Sequence, residues 1–489
     1  MPELKLVDVS IRDGNQSLWS MTGLGTNQIM QAAPIMERVG FRAIDFTSST
    51  HMSMAIRSHR DDPWERIRLM KRALPGVPLQ FISTGFRFIS WETADHDFMR
   101  LAYRTLMKNG IGRFVLLDPM HDMDALMQVA RIVKEEGEAE NMAALTYTLS
   151  AVHDDAFYAN CARQIAASGL FDLVYIKDPS GLLTPERARM LIPAVKKEIG
   201  NMPLELHSHC TIGLSQFNYM VGAELGISAL HVAIGPLAHG SSLPCASQTI
   251  HNLKTHGYEV DADEKAIREL EAFYFALARA EGLPSGQPQA YDASFLRHQI
   301  AGGVMTTTRR QLAEVGLEHK FDEVMAEVER VRFELGSPIM VTPFPQIVTT
   351  QAMFNVMGSE RYEQIPDQAI RYVLGRFGRP TAPVDPNVLD RIMSLPRTKE
   401  IKAEPIMMTL KERRSRFTTS MSDEEFLLRA VMPNDLIDEM QPRAPHQLHY
   451  NPQIAPVLKL LKGMKEKPAP AYFEVKQPDF RLVLDSSNR

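Results

Sequence analysis

From Leu4 to about residue 256, short apolar runs alternate with amphipathic helical patterns, and this alternation most constrains the fold. The predicted strands are Leu4–Val9, Ala43–Phe46, Pro78–Ser83, Arg113–Leu117, Ala143–Thr148, Leu173–Lys177, Leu204–His209 and Leu230–Ile234. Between them lie helical patterns at Asp62–Ala73, Ala94–Lys108, Asp122–Glu136, Asp154–Ala167, Thr184–Ile199 and Ser215–Leu225. Thr184-Pro185 and Ser215 are plausible helix starts. Strand–helix units repeated roughly eight times in about 250 residues predict an α/β fold, a (β/α)8 TIM barrel whose parallel strands are joined by crossover helices. A doubly wound open sheet is the alternative. It expects a glycine-rich dinucleotide turn after the first strand, where Ile11-Arg12-Asp13-Gly14-Asn15-Gln16 stands instead.

Beyond Tyr258 the pattern changes. Asp263–Ala280 and Leu317–Leu335 read as helices, followed by turns at Ser337-Pro338, Thr342-Pro343-Phe344-Pro345 and Gly378-Arg379-Pro380-Thr381-Ala382-Pro383, then a charged helical segment, Leu410–Phe417. The expected organisation is a barrel domain over 1–258, a mainly helical domain over 259–442 and an extended tail or interface arm over 443–489.

The net charge of −5 gives no basic footprint for nucleic acid. The first residues carry no apolar signal core, and no apolar run reaches the ~20 residues of a membrane span. Three scattered cysteines make no disulfide framework. A cytoplasmic protein is expected.

Chemistry concentrates at the carboxyl ends of the predicted strands, where barrels of this kind place their sites. His207 and His209, two apart on one strand, aim both imidazoles to the same side. Taken alone, such a pair is more often two surface histidines. Asp13 after the first strand and Lys177 at the end of the sixth change the odds. One carboxylate and two imidazoles suit Zn²⁺, Mn²⁺ or Co²⁺. An ammonium cannot bind a cation, so from pattern alone Lys177 is better read as an ion-pair partner of Asp178 or Asp13. Neutral, or converted by CO₂ to a carbamate, it becomes a ligand.

The segments Ile11-Arg12-Asp13-Gly14-Asn15-Gln16-Ser17, Asp62-Pro63-Trp64-Glu65-Arg66, Ile176-Lys177-Asp178-Pro179-Ser180-Gly181 and His207-Ser208-His209 carry a resemblance. It continues through His298-Gln299-Ile300-Ala301-Gly302-Gly303, Val341-Thr342-Pro343 and Gly375-Arg376-Phe377-Gly378-Arg379-Pro380, to about residue 440. The chain resembles the carboxyltransferase branch of the metallolyase barrels, which holds the pyruvate carboxylase carboxyltransferase domain, the transcarboxylase metal subunit and the oxaloacetate decarboxylase alpha subunit. The resemblance implies that Asp13, His207 and His209 bind the metal, with a carbamylated Lys177 as fourth ligand. It implies Gln16 as a hydrogen-bond donor to the substrate oxygen, Arg12 beside the site, and Ser241 as the hydroxyl that passes a proton. It also implies biotin on a separate carrier and a biotin carboxylase subunit as partners.

Departures matter too. Thr84 stands where relatives carry an arginine that clamps a keto-acid carboxylate, and Arg87 lies three residues on. Ser53 replaces the acidic residue expected near the biotin ring. No Ala-Met-Lys-Met biotinylation signature occurs; Lys462-Gly463-Met464-Lys465 is a poor substitute. His51, His121 and His239 fall on predicted rim loops; they read as ordinary polar loop residues, with His51 and His239 also candidates for a changed substrate pocket. The reading is a metal-dependent carboxyltransferase subunit acting through an enolate on a small acid or acyl substrate other than pyruvate or oxaloacetate. The alternatives are a biotin-independent decarboxylase or carbon–carbon lyase, and a non-catalytic scaffold subunit. A homodimer or larger assembly is expected.

Overall fold

In the computed structural model, which describes residues 3–90, 92–300, 302–440, 448–465, 472–477 and 480–485, the eight apolar runs are parallel strands that close on themselves. They are β1 (Lys5–Asp8), β2 (Ala43–Ser48), β3 (Leu79–Thr84), β4 (Ile111–Leu117), β5 (Glu140–Thr146), β6 (Leu173–Asp178), β7 (Leu204–Ser208) and β8 (Ala229–Val232). Closure is made by β1 against β8, with Leu6 opposite Leu230 and Asp8 opposite Val232. This is the TIM barrel, and the open-sheet alternative falls.

Side chains on a strand alternate between faces, and here the two faces differ in chemistry. Leu6, Ile44, Phe81, Phe114, Leu145, Ile176, Leu206 and Leu230 join the large core formed with the surrounding helices. Residues of the other parity include Asp45, Gln80, Arg113, Tyr175, Glu205, His207 and His231, all buried. The strand face turned away from the helices is therefore strongly polar. Acidic caps set the helix starts: Asp95 accepts from the Phe98 amide at 3.0 Å, Asp122 from Ala125 at 3.1 Å and Asp154 from Phe157 at 2.8 Å. Thr184 caps its helix as expected, accepting from the Arg187 amide. Ser215 does not; its hydroxyl donates to the His209 carbonyl, so it serves the end of β7 instead.

The later segment builds a second core around Val324, Val328, Val331, Phe344, Val348, Ile370 and Ile392. Thr342–Pro345, expected as a turn, leads straight into the helix Phe344–Met357, and a proline in its first turn forfeits no helical hydrogen bond. Arg332 fastens this region to the barrel, donating to the Leu149 carbonyl and the Thr148 hydroxyl, each at 3.0 Å. Gln299 receives the Thr148 hydroxyl at 2.8 Å, and Thr381 donates to the Met120 carbonyl at 2.9 Å. All these partners sit on loops after β4 and β5, so the helices cover the carboxyl mouth of the barrel.

The tail differs from the extended arm expected for it. Its described residues contain a helix, Ala455–Lys465, and an antiparallel pair, Tyr472–Gln477 with Phe480–Asp485. Residues 443–447, 466–471, 478–479 and 486–489 of that expected arm, and Ala301 of the resemblance motif, lie outside the described residues. Among the described residues no helix is long and apolar enough to cross a membrane.

Candidate metal centre

Asp13 reaches the barrel mouth because the chain leaves β1 in a wide helical turn, Ser10–Gly14. The amides of Asp13 and Gly14 both donate to the Val9 carbonyl, at 2.9 and 3.0 Å. Lys177 and His207 come directly from β6 and β7, which pair them across the sheet. His209 follows one step beyond β7, its amide on the Asp178 carbonyl at 3.1 Å. The loop beside it is tightly built. The Asp178 carboxylate receives the Leu182 amide at 2.7 Å, the Leu183 amide at 2.9 Å and the Ser208 hydroxyl at 2.9 Å. Gly181 turns there at φ +67°, and a Cβ on it would lie 2.6 Å from the His209 carbonyl oxygen.

These elements bring four side chains together. Asp13 Oδ2 lies 3.3 Å from His207 Nε2, 3.5 Å from His209 Nε2 and 3.5 Å from Lys177 Nζ. The two Nε2 atoms are 3.1 Å apart, and Lys177 Nζ is 3.2 Å from that of His207. Ligand atoms bound at 2.0–2.2 Å around one tetrahedral ion lie about 3.4 Å from each other. The donor set and its spacing therefore fit a divalent transition ion. Among the described residues, Asp13, His207 and His209 are the group of three or more acids, imidazoles or thiols with that convergence.

Electrostatics suit the same role. Burial opposes the Asp13 charge, but Arg12, His209 and Lys177 outweigh it and hold its carboxyl well below the usual range. Burial and the neighbouring Lys177 push His207 well below the ordinary imidazole value, so it presents a lone pair. Burial lowers the Lys177 amine against the pull of Asp13. Arg12 is committed: its Nε donates to Asp45 Oδ2 at 2.7 Å, and its Nη2 reaches Asp13 Oδ2 at 2.9 Å.

Behind the cluster lies a set of groups that the sequence reading missed. His207 Nδ1 is 3.2 Å from His231 Nδ1, and His231 Nε2 is 3.0 Å from Glu205 Oε2. Arg113 Nη2 donates to the same carboxylate at 2.5 Å. Burial would lift the Glu205 carboxyl, but the charge of Arg113 and the bond to His231 bring it down to about 2. The signal was present: Glu205 stands two residues before His207 on the same face of β7, and His231 interrupts an otherwise apolar run.

The cluster opens onto a cavity of about 540 Å3, walled by Arg12, Gln16, Thr84, Arg87 and Ser241 from the barrel side and by Thr308, Gln311, Met340, Gln346 and Thr349 from the helical side. Arg87 is buried there, donating to the Arg376 carbonyl at 3.3 Å. Ser241 donates its hydroxyl to the Ser17 carbonyl at 3.0 Å, while its own carbonyl takes His209 Nδ1 at 2.7 Å. Three expected pocket residues are not on the wall. Ser53 accepts from Arg57 one turn into the helix Ser49–His59. His51 is buried against the Ser48 hydroxyl at 3.0 Å, and His239 is half-buried at φ +69°. His121 packs behind the rim on His153 and Phe157. A larger groove of about 1110 Å3, lined by Gln31, Phe273, Tyr450 and Leu458, lies apart from this chemistry.

The fold is that of carboxyl transferase domains. The structure of the Rhizobium etli pyruvate carboxylase domain with pyruvate matches at a TM-score of 0.83 and 20% identity, over 99% of this chain and 83% of that one. The same domain with oxamate and biotin matches at 0.80 and 22%, over 89% and 77%. A family model described as "Conserved carboxylase domain" matches residues 295–480. A pyruvate carboxylase subunit of Methanocaldococcus jannaschii is 34% identical over 391 residues, 80% of this chain and 68% of that protein. The 2-oxoglutarate carboxylase large subunit of Hydrogenobacter thermophilus is 27% identical over 97% of this chain and 74% of its own length. The methylmalonyl-CoA carboxyltransferase 5S subunit of Propionibacterium freudenreichii is 27% identical over 91% and 89%. The chain belongs to the carboxyltransferase family that includes this Methanocaldococcus jannaschii pyruvate carboxylase subunit.

Proposed function

We propose that the protein is the carboxyltransferase subunit of a biotin-dependent carboxylase, carrying a carboxyl group between a biotin carrier on another polypeptide and the enolate of a small acid or acyl substrate. A separate biotin carboxylase subunit would charge the carrier. The observation that carries this reading is the convergence of Asp13, Lys177, His207 and His209 at the covered mouth of a barrel of this family.

Asp13, His207 and His209 would hold a divalent ion, zinc, manganese or cobalt. Bound there, such an ion polarises a carbonyl oxygen and stabilises enolate charge. The lowered amine of Lys177 can add to CO₂, forming an N–C bond and losing a proton, and the resulting carbamate would supply a fourth ligand through oxygen. Arg12, bound to both Asp45 and Asp13, balances the buried acids rather than clamping substrate. Gln16, exposed in the cavity, is free to turn its amide toward a substrate oxygen. Ser241 places a hydroxyl on the wall beside His209, where it can hold and return the proton exchanged at the enolate carbon.

The substrate is other than pyruvate or oxaloacetate. Thr84 offers the cavity a neutral hydroxyl, which cannot make the bidentate contact of a guanidinium, and Arg87 on the same wall is engaged with the Arg376 carbonyl. Decarboxylation of oxaloacetate in the presence of free biotin tests this part. Negligible turnover by the native chain, rising in Thr84→Arg, supports it; efficient turnover by the native chain overturns it.

A further inference from the structure

A ring nitrogen that bears a proton cannot ligate a metal, so the tautomer of His207 decides whether the cluster works. The structure contains a chain of groups that fixes it. Glu205 is an ionised carboxylate held by Arg113, and a carboxylate only accepts. The contact at 3.0 Å therefore takes its proton from His231 Nε2. A neutral ring has one such proton, which leaves His231 Nδ1 as a lone pair. That lone pair faces His207 Nδ1 at 3.2 Å, and the proton between them must come from His207. His207 Nε2 is then bare, turned to Asp13 and His209. His231 itself is held in place: its ring stacks on Tyr175 at 5.3 Å with 14° between planes, and its carbonyl receives the Tyr219 hydroxyl.

We infer that Glu205 and His231 form a buried relay that fixes the tautomer and orientation of His207 for metal binding, with Arg113 anchoring its far end. These are positioning residues, since none touches substrate. His209 reaches the same state by a simpler route, its Nδ1 donating to the Ser241 carbonyl, an acceptor only. Groups that orient a metal-bound imidazole in this way are worth about 10–100-fold in metal affinity. The inference rests on the metal reading of the cluster, not on biotin or the acceptor acid.

The test compares substitutions at His231 that separate its two nitrogens. His231→Asn keeps an acceptor near the place of Nδ1, His231→Gln keeps a polar group near the place of Nε2 only, and His231→Phe keeps neither. Each full-length protein is titrated with Zn²⁺ against a chelator and, loaded with Co²⁺, read by its visible spectrum; thermal unfolding monitors the fold. The relay predicts zinc affinity lower by about 10–100-fold in His231→Gln and His231→Phe, with an altered cobalt spectrum, and near-native affinity and spectrum in His231→Asn. Equal affinities in all variants, or equal losses in all three, would overturn the relay. A native protein that retains no stoichiometric metal would overturn the metal reading itself, and the relay with it.

Discussion

Replacing Gly181 with alanine tests how the loop after β6 holds the candidate ligand His209. The residue adopts φ +67°, where a side chain costs roughly 1–2 kcal/mol. The added methyl would also meet the His209 carbonyl oxygen at 2.6 Å and the Thr211 amide at 3.0 Å, both backbone atoms that cannot rotate away. Overpacking of this kind costs about 1–3 kcal/mol. The two together give about 2–5 kcal/mol, a fall in Tm of roughly 5–15 °C for a barrel of this size. Relief requires the His209 backbone to retreat, and its amide already sits on the Asp178 carbonyl at 3.1 Å, so the imidazole moves with it. Calorimetry combined with metal titration reads both effects: Gly181→Ala loses stability and metal affinity together. A variant with native Tm and native metal affinity refutes the argument that this close approach sets the position of His209.

Asp13→Asn leaves two imidazoles beside Arg12 and Lys177, and metal content measured after dialysis drops from stoichiometric to trace, with activity lower by ~100-fold or more. Glu205, fully buried, titrates at about 2 rather than 4.5, so its stabilising contribution is complete above pH 4.5 and disappears as pH falls toward 2; denaturant unfolding should lose about 3 kcal/mol across that window, and Glu205→Gln should flatten the slope. Ser241→Ala removes that residue's hydroxyl from the wall, and kcat is expected to fall by about 100-fold or more with metal content unchanged.

The barrel was legible because each strand carries its apolar partners on the helix-facing side, at every second position, so Leu204-Glu205-Leu206 and Leu230–Val232 announce strands even with polar residues inside them. The candidate ligands were legible as strand-end residues, and the structure brings Lys177, His207 and His209 within 3.5 Å of the Asp13 carboxylate. Glu205 and His231 showed only as polar interruptions of apolar strands, and their pairing with each other and with Arg113 was not legible. Their partners are on different strands, 92 residues apart for Arg113 and Glu205, and nothing local links a charged residue on a buried face to its counter-charge. The rim histidines were legible as polar residues near the mouth, but not in their burial. His51 is buried in the helix Ser49–His59 and His121 behind the loop after β4, and burial pushes each ring down to about 3, so both are neutral. In the tail, where an extended or interface arm was expected, Pro456 falls in the first turn of the helix Ala455–Lys465, where proline is tolerated.

Carboxyl transfer at this cluster is tested by purifying the protein with its native partners, determining bound metal, and following labelled carboxyl from the charged biotin carrier to candidate acids and acyl thioesters. Transfer at the cluster requires a stoichiometric divalent ion, a co-purifying biotinylated protein, and loss of transfer in Asp13→Asn. Bound metal with no biotinylated partner, and loss of CO₂ or carbon–carbon cleavage without biotin, would contradict it.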